Sequence, residues 1–234
     1  MKLLLENWRN FIREGSKSQK LFFLIGPPAI GKSTWIKEEG PKHGIVNPYI
    51  ISMDDVTDII GDKHGMDYDD MFEKPIQPGE RGYTEDQYSE EFGEMIDQPL
   101  KWKTWEPKVW AKVAGAAGEA MGEHERIIQQ ATKSGRPIVV DMTNMNKASR
   151  ERLIDQLDSP NHELIAVVFD WDNDVEYLKG AAAKRAKERL AQTGRKKTIP
   201  PAAFDRMVGG YEAPSEDEGW DEIISVPAWW AQEK

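Results

Sequence analysis

The sequence predicts an α/β protein with a doubly wound, mostly parallel sheet. Short apolar segments typical of buried strands alternate with segments of helical periodicity along most of the 234 residues. The first such strand, 20–25, runs directly into a glycine-rich loop and then into a helix. In folds of this kind, ligands bind at the carboxyl ends of the strands, where such loops lie.

The elements follow one another without an internal repeat. Further strands are predicted at 49–53, 137–140, 164–169 and 222–226, and helices at 32–39, 109–133, 147–157, 174–191 and 200–208. We predict an N-terminal amphipathic helix and linker over 1–18, followed by one domain over 19–234. An acid-rich insertion at about 62–107 has no clean periodicity, but its tyrosines and tryptophans favour at least partial order.

Composition limits the class of protein. A net charge of −10, with 31 % charged and 39 % hydrophobic residues, indicates a globular chain whose surface repels extended polyanions. The basic segment 179–206 is the exception and suits phosphates held at a site. There are no cysteines, no run long enough to span a membrane and no signal-peptide pattern, so we expect a cytoplasmic protein without a membrane partner. The oligomeric state is not predicted.

The glycine-rich loop matches the pattern G-x-x-x-x-G-K-[ST], with Gly26, Gly31, Lys32 and Ser33 at its fixed positions. Glycines let backbone N–H groups point at an anion, the lysine reaches the β- and γ-phosphates, and the hydroxyl can ligate Mg²⁺. The pattern predicts that the protein binds a nucleoside triphosphate together with Mg²⁺. The predicted nucleotide-binding residues are Gly26, Pro27, Pro28, Ala29, Ile30, Gly31, Lys32, Ser33 and Thr34.

Other residues narrow the nucleotide chemistry. The nearest string to the guanine-binding Asn-Lys-x-Asp of GTPases begins at Asn146 and lacks the acid. Mechanical ATPases usually end their second acidic strand in Asp-Glu, whereas the third predicted strand here ends in Asp141-Met142. The strand after the loop instead ends in Asp54-Asp55. Asp55 can cap the following helix, whereas Asp54, at the strand terminus, is better placed to accept a hydroxyl proton during phosphoryl transfer.

The chain resembles the polynucleotide-kinase-like P-loop kinases, which include the kinase domains of phage and animal polynucleotide 5′-hydroxyl kinases. The resemblance rests on GPPAIGKSTW, ISMDD, VVDMTNMN, KRAKERL, IPPAAFDRM and YEAPSEDEGWDEI, in this order. The strand-end Asp-x-Thr-Asn and the Glu-x-Pro…Glu-Gly-Trp tail are more restrictive than the loop itself. It implies an ATP-dependent transfer of the γ-phosphoryl group to a hydroxyl of nucleic acid or a nucleotide, either a 5′-hydroxyl end or a hydroxymethylated base.

The resemblance also implies roles for matching positions. Asp54 matches the general base, and Asp141 matches the strand-end acid that helps to hold Mg²⁺. Arg185 and Arg189 match arginines of a lid, here about 179–200, that grip the ATP phosphates, and Arg195 is a third candidate. The candidate substrate-binding residues are Asp55, Thr143 and Asn144.

One departure keeps alternatives open. Polynucleotide kinases carry an arginine for the acceptor's 3′-phosphate shortly after the base, but the corresponding positions here are Val56 and Thr57. The missing arginine and the net acidity favour a small-molecule kinase, acting on a nucleoside, sugar or antibiotic, as the first alternative. A non-catalytic nucleotide-binding regulator is the second.

Overall fold

The structure, a computed structural model, describes residues 19–72, 81–82, 103–104, 107–157, 162–171, 174–195 and 197–228. The predicted N-terminal helix lies outside the described residues. So do the aromatic residues of the insertion at Tyr83, Tyr88, Phe92, Trp102 and Trp105, and the Trp229-Trp230 pair.

Strands and helices alternate along the described chain. The strands are β1 (Gln19–Ile25), β2 (Tyr49–Ile51), β3 (Arg81–Gly82), β4 (Lys103–Thr104), β5 (Ile138–Val140), β6 (His162–Phe169) and β7 (Glu222–Val226). The α-helices are α1 (Lys32–Glu38), α2 (Met53–His64), α3 (Tyr68–Phe72), α4 (Pro107–Lys133), α5 (Lys147–Gln156), α6 (Val175–Thr193) and α7 (Pro201–Gly209). Two 3₁₀ turns, Gly40–His43 and Glu216–Glu218, complete the set.

The main sheet has five strands in the order β2-β5-β1-β6-β7, and each neighbouring pair is parallel. The short strands β3 and β4 pair separately and antiparallel. The predicted α/β fold is therefore confirmed, with a main sheet that is parallel throughout. Because the later strands lie on both sides of β1, the carboxyl end of β1 lies where ligands bind in doubly wound sheets.

The core of the sheet is apolar on both faces, as expected for strands covered by helices. All five residues 21–25 of β1 are fully buried. On one face Leu21, Phe23 and Ile25 belong to a cluster that includes Ile128 of α4 and Leu153 of α5. Burial of each such side chain contributes about 1.5–3 kcal/mol.

The described residues fall into two compact units. The sheet unit lies within 1–53, 125–175 and 208–234 and contains the five-stranded sheet. The helical unit lies within 54–124 and 176–207 and contains most of α2 and α6. No helix among the described residues is long and apolar enough to span a membrane.

The segment after β2 differs from the sequence-based expectation. Strand β2 ends at Ile51, and α2 begins at Met53, so Asp54 and Asp55 lie in the first turn of a helix rather than at a strand end. Acidic residues are favourable there because they complement the positive end of the helix dipole. The buried residues Val56 and Ile60 recur at helical spacing, a signal that the acid-rich composition obscured.

Candidate functional site

The phosphate loop between β1 and α1 passes through two left-handed residues. Ala29 has φ 66° and Gly31 has φ 97°. The carbonyl of Gly31 accepts a hydrogen bond from the Trp35 N–H at 2.9 Å, which starts α1. Glycine adopts a positive φ without steric cost, whereas an alanine there costs roughly 1–2 kcal/mol. The loop is thus held in a conformation that its sequence only partly favours, as binding loops often are.

Gly26 is required by packing rather than by its backbone angles. A Cβ atom at this position would lie 3.0 Å from Phe169 Cβ and 3.4 Å from Ile30 Cγ2. The Gly26 N–H donates to the Thr143 carbonyl oxygen at 3.1 Å. The start of the phosphate loop is therefore fixed against both β6 and the loop that follows β5.

The Lys32 ammonium group folds back over the phosphate loop. Its Nζ donates to the carbonyl oxygens of Gly26 and Pro27, each at 2.9 Å. A triphosphate is a stronger acceptor than these carbonyls because charge-assisted hydrogen bonds are the stronger class. The ammonium group is therefore placed to exchange the carbonyls for phosphate oxygens.

Ser33 and Asp141 form the polar pair beside the loop. The Ser33 hydroxyl donates to Asp141 Oδ2 at 3.2 Å, and the Asp141 N–H donates to the Ile51 carbonyl oxygen at 2.9 Å. A hydroxyl and a carboxylate are hard oxygen ligands, which suit Mg²⁺. Within the described ranges no group of three or more His, Asp or Glu side chains could hold a metal alone. Waters and phosphate oxygens would have to complete the shell, as is usual for Mg²⁺.

The loop after β5 is anchored by Asn144. Asn144 has φ 49° and is 3 % exposed. Its Nδ2 donates to the carbonyl oxygens of Leu24 at 2.9 Å and Val140 at 3.3 Å, while its Oδ1 is buried without a hydrogen-bond partner among the described atoms. The amide of Asn144 therefore ties the loop to the ends of β1 and β5, next to the phosphate loop.

The Glu-x-Pro…Glu-Gly-Trp tail packs onto the sheet unit. The Trp220 ring lies edge-on to Phe23, with ring centroids 5.4 Å apart, and the Glu212 carboxylate accepts from the Lys147 N–H at 2.7 Å. Glu218 forms a buried ion pair with Arg150. Burial alone would raise the pKa of Glu218, but the hydrogen bonds from Arg150 and from the Ser215 N–H hold that pKa below its ordinary value.

The candidate base Asp54 lies in the helical unit, where both of its oxygens are contacted. The Tyr68 hydroxyl donates to Oδ1 at 2.6 Å, and Lys197 Nζ lies 3.1 Å from Oδ2. The same ammonium lies 4.4 Å from the centroid of the Tyr68 ring. Burial of the phenol, together with the Asp54 charge and hydrogen bond, raises the pKa of Tyr68 above its ordinary value. Tyr68 therefore stays protonated and acts as a donor to Asp54.

Asp54 is the first member of an acidic row on α2, defined by Asp54, Asp58 and Asp62 at helical spacing. Each member pairs with a basic residue from the predicted lid. Asp58 binds Arg189 through two hydrogen bonds, at 2.6 Å and 3.0 Å, and Asp62 pairs with Arg195. Arg185 lies on the same helix as Arg189 and is exposed. Within the helical unit, two lid arginines and Lys197 thus neutralise the acidic row.

Comparison with known proteins identifies the family. A family model described as an AAA domain (AAA_33) matches residues 21–214, which is most of the chain. The chain belongs to this AAA domain family. Together with its phosphate loop and strand order, this gives the protein a P-loop, kinase-like fold.

Solved structures similar to this AAA domain have low sequence identity. A candidate kinase from Chloroflexus aurantiacus is 14 % identical, with a TM-score of 0.49, covering 94 % of this chain and 91 % of that one. A structure of the PezAT toxin–antitoxin system of Streptococcus pneumoniae is 16 % identical, with a TM-score of 0.48, covering 97 % of this chain and 75 % of that one. Chaetomium thermophilum Kti12 in complex with ADP-AlF3 is 12 % identical, with a TM-score of 0.43, covering 88 % of each chain. No curated protein sequence matches the chain.

The predicted site residues of this AAA domain lie in both units. The sheet unit brings together Gly26, Lys32, Ser33, Asp141 and Thr143. The helical unit holds Asp54, Asp55, Arg185, Arg189 and Arg195. The roles of all these residues, including those of Pro28, Ile30 and Thr34 in the loop, stay predictions.

Three residues with close contacts to the candidate site were not singled out by the sequence. Tyr68 and Lys197 contact Asp54, and Arg150 contacts the loop after β5. Lys197 had a detectable signal, since it belongs to the basic segment. Arg150 had none, because an arginine in a polar helix is usually solvated.

Proposed function

We propose that this AAA domain is an ATP- and Mg²⁺-dependent phosphotransferase that moves the γ-phosphoryl group to a hydroxyl of nucleic acid or a nucleotide. The observation that carries the proposal is the hydrogen bond from Ser33 to Asp141 at 3.2 Å, directly beside the phosphate loop. A hydroxyl from the loop next to an acid from the end of a neighbouring strand is the arrangement in which P-loop enzymes hold their metal ion. The acceptor class rests on the resemblance to polynucleotide kinases.

The proposed reaction exchanges one P–O bond for another. The acceptor oxygen bonds to the γ-phosphorus while the bond from that phosphorus to the β,γ-bridging oxygen breaks, and ADP leaves. Asp54 accepts the hydroxyl proton. Lys32 and the lid arginines Arg185, Arg189 and Arg195 stabilise the charge on the transferring group. Ser33 and Asp141 would hold Mg²⁺, which would supply neutralisation of the phosphate charge.

Asp54 needs a free oxygen to act as a base. Its Oδ2 is contacted by Lys197 at 3.1 Å, whereas its Oδ1 accepts from Tyr68 at 2.6 Å. A hydroxyl acceptor would therefore have to replace Lys197 at Oδ2. Tyr68 can remain in place and fix the carboxylate during the reaction.

A small-molecule kinase is the second candidate. The net charge of −10 and the absence of arginine at Val56 and Thr57 disfavour a polyanionic strand as acceptor, because like charges repel. A nucleoside, sugar or antibiotic has no backbone of phosphates and avoids this cost.

A transfer assay tests the proposal. The protein is incubated with Mg²⁺, ATP labelled at the γ-phosphate, and in turn 5′-hydroxyl oligonucleotides, DNA with hydroxymethylated bases, nucleosides, sugars and antibiotics. We expect label on the 5′-hydroxyl oligonucleotides or on the DNA with hydroxymethylated bases. Lys32→Ala should reduce the turnover about 10²–10³-fold because a phosphate-stabilising donor is lost. Asp54→Asn should reduce transfer about 10²-fold or more with an unchanged Kd for ATP.

The control is Asp155→Asn, which removes an exposed carboxylate from α5 and should leave both quantities unchanged. Label found only on a nucleoside, sugar or antibiotic would select the second candidate. ATP binding without transfer to any acceptor would contradict both and favour a nucleotide-binding regulator.

A further inference from the structure

Arg150 on α5 is the largest fully buried side chain described in the protein, with an exposed fraction of 0 %. Its charge is compensated within the same unit. Nε donates to Glu218 Oε2 at 2.7 Å and Nη2 donates to Glu218 Oε1 at 2.8 Å, a bidentate pair in which both side chains are buried. Arginine is suited to such a pair because its planar fork matches a carboxylate.

The third nitrogen of Arg150 does not contact Glu218. Nη1 donates to the main-chain carbonyl oxygens of Asn144 at 3.0 Å and Glu212 at 2.9 Å. One guanidinium group thus joins α5, the tail and the loop after β5. The contact with Asn144 connects Arg150 to the loop after β5, which is hydrogen-bonded to the phosphate loop.

The backbone conformation of Asn144 is unfavourable for a residue other than glycine. It is a non-glycine residue at φ 49°, in the left-handed region. Such a conformation persists when surrounding contacts over-determine it. Arg150 donates a hydrogen bond to the main-chain carbonyl of Asn144, and the side-chain amide of Asn144 donates one to the main-chain carbonyl of Leu24.

The same short loop carries two contacts to the phosphate loop. The Thr143 carbonyl accepts from the Gly26 N–H at 3.1 Å, and Asp141 accepts from the Ser33 hydroxyl at 3.2 Å. A change in the backbone at Asn144 would therefore move the Asp141 carboxylate relative to Ser33. Partners behind metal ligands commonly set metal affinity in this way.

We propose that Arg150, clamped by Glu218, is a positioning residue that fixes the 141–144 loop so that Asp141 and Ser33 can hold Mg²⁺ together. The inference rests on the proposed function, because it requires that Mg²⁺ binds with ATP at this pair. It extends that function to the buried Arg150–Glu218 ion pair.

The test compares ATP binding with and without Mg²⁺. The Kd for ATP is measured by calorimetry in excess Mg²⁺ and in EDTA, and the ratio of the two gives the enhancement by Mg²⁺. Arg150→Lys and Glu218→Asp preserve both charges but break the bidentate geometry. We expect each variant to reduce the enhancement by about tenfold, while the Kd in EDTA changes less than about twofold.

Lys147→Met is the matched control. Lys147 also binds the tail, at Asp217, but its side chain is partly exposed and its ammonium group pairs with Asp217 and Glu151. The enhancement should be unchanged in this variant. Circular dichroism checks that each variant is folded. Glu218→Asp, which shortens the side chain by one methylene group, supplies a second variant if Arg150→Lys does not fold.

The outcomes separate the two proposals. If the wild-type protein binds ATP without any enhancement by Mg²⁺, the proposed function fails and this inference fails with it. If the wild-type enhancement is present and both folded variants retain it, Arg150 has a purely structural role and the inference alone is overturned. A purely structural role would lower thermal stability without changing the ratio.

Discussion

At the residue scale, the surroundings of Gly26 and Gly122 differ so much that substitution by alanine should have opposite effects on stability at the two positions. A Cβ atom at Gly26 would lie 3.0 Å from Phe169 Cβ, which is a core contact that cannot move freely. A Cβ atom at Gly122, exposed on α4, meets nothing within 4 Å among the described residues. Crowding therefore dominates at Gly26, and helix propensity dominates at Gly122.

We expect Gly26→Ala to lower the free energy of unfolding by about 1–3 kcal/mol, because overpacking forces neighbours apart. Gly122→Ala should raise it by roughly 0.5–1 kcal/mol, because alanine is the better helix former. Urea unfolding followed by circular dichroism measures both values. Equal effects of the two substitutions would contradict the close contact with Phe169. Gly26→Ala should also weaken ATP binding, because the crowding against Phe169 would displace the start of the phosphate loop, where the Gly26 N–H is hydrogen-bonded to Thr143.

At the element scale, α2 and the lid segment of α6 are held together by paired charges. The Arg189–Asp58 pair is bidentate, with side chains 29 % and 21 % exposed. The Lys184–Glu188 pair on α6 is longer, at 3.9 Å, and more exposed. Geometry and burial should therefore make the first pair strong and the second weak.

A double-mutant cycle tests this difference. For Arg189→Met and Asp58→Asn we expect a coupling free energy of about 1 kcal/mol at low salt, and for Lys184→Met with Glu188→Gln a value of about 0.3 kcal/mol. Both cycles are measured by urea unfolding, and the coupling at Arg189 should shrink as NaCl is added because salt screens the charges. If the two cycles give the same coupling, the acidic row does not hold the lid segment.

At the scale of the whole molecule, the sequence predicted what depends on local patterns and missed what depends on tertiary pairing. The apolar strands and the phosphate loop were predictable because buried parallel strands are continuous apolar runs and the loop has fixed spacing. Helix α2 was missed because its buried stripe is short and lies within an acid-rich segment. The Tyr68–Asp54 and Arg150–Glu218 contacts join residues 14 and 68 positions apart, and no local pattern encodes them.

The buried ion pair also predicts how the stability of the whole molecule depends on pH. The pKa of Glu218 is lower in the folded state than its ordinary value. A lowered pKa means that the folded state favours the carboxylate, so this stabilisation is complete above the ordinary pKa, at about 4.3. It is lost as the pH falls through the lower, folded value. The free energy of unfolding should therefore decrease on acidification below about pH 5.

Glu218→Gln isolates this contribution. At pH 7 the variant leaves the buried Arg150 cation without an anion, and its free energy of unfolding should be about 3–5 kcal/mol lower than that of the wild type. Wild-type Glu218 becomes protonated as the pH falls, so the difference between the two proteins should narrow below about pH 4. The other acids with lowered pKa values, Glu119 and Asp217, are present in both proteins and cancel in the comparison. Urea unfolding from pH 7 to pH 3 measures the difference, and a constant difference over that range would mean that Arg150 does not stabilise the Glu218 carboxylate.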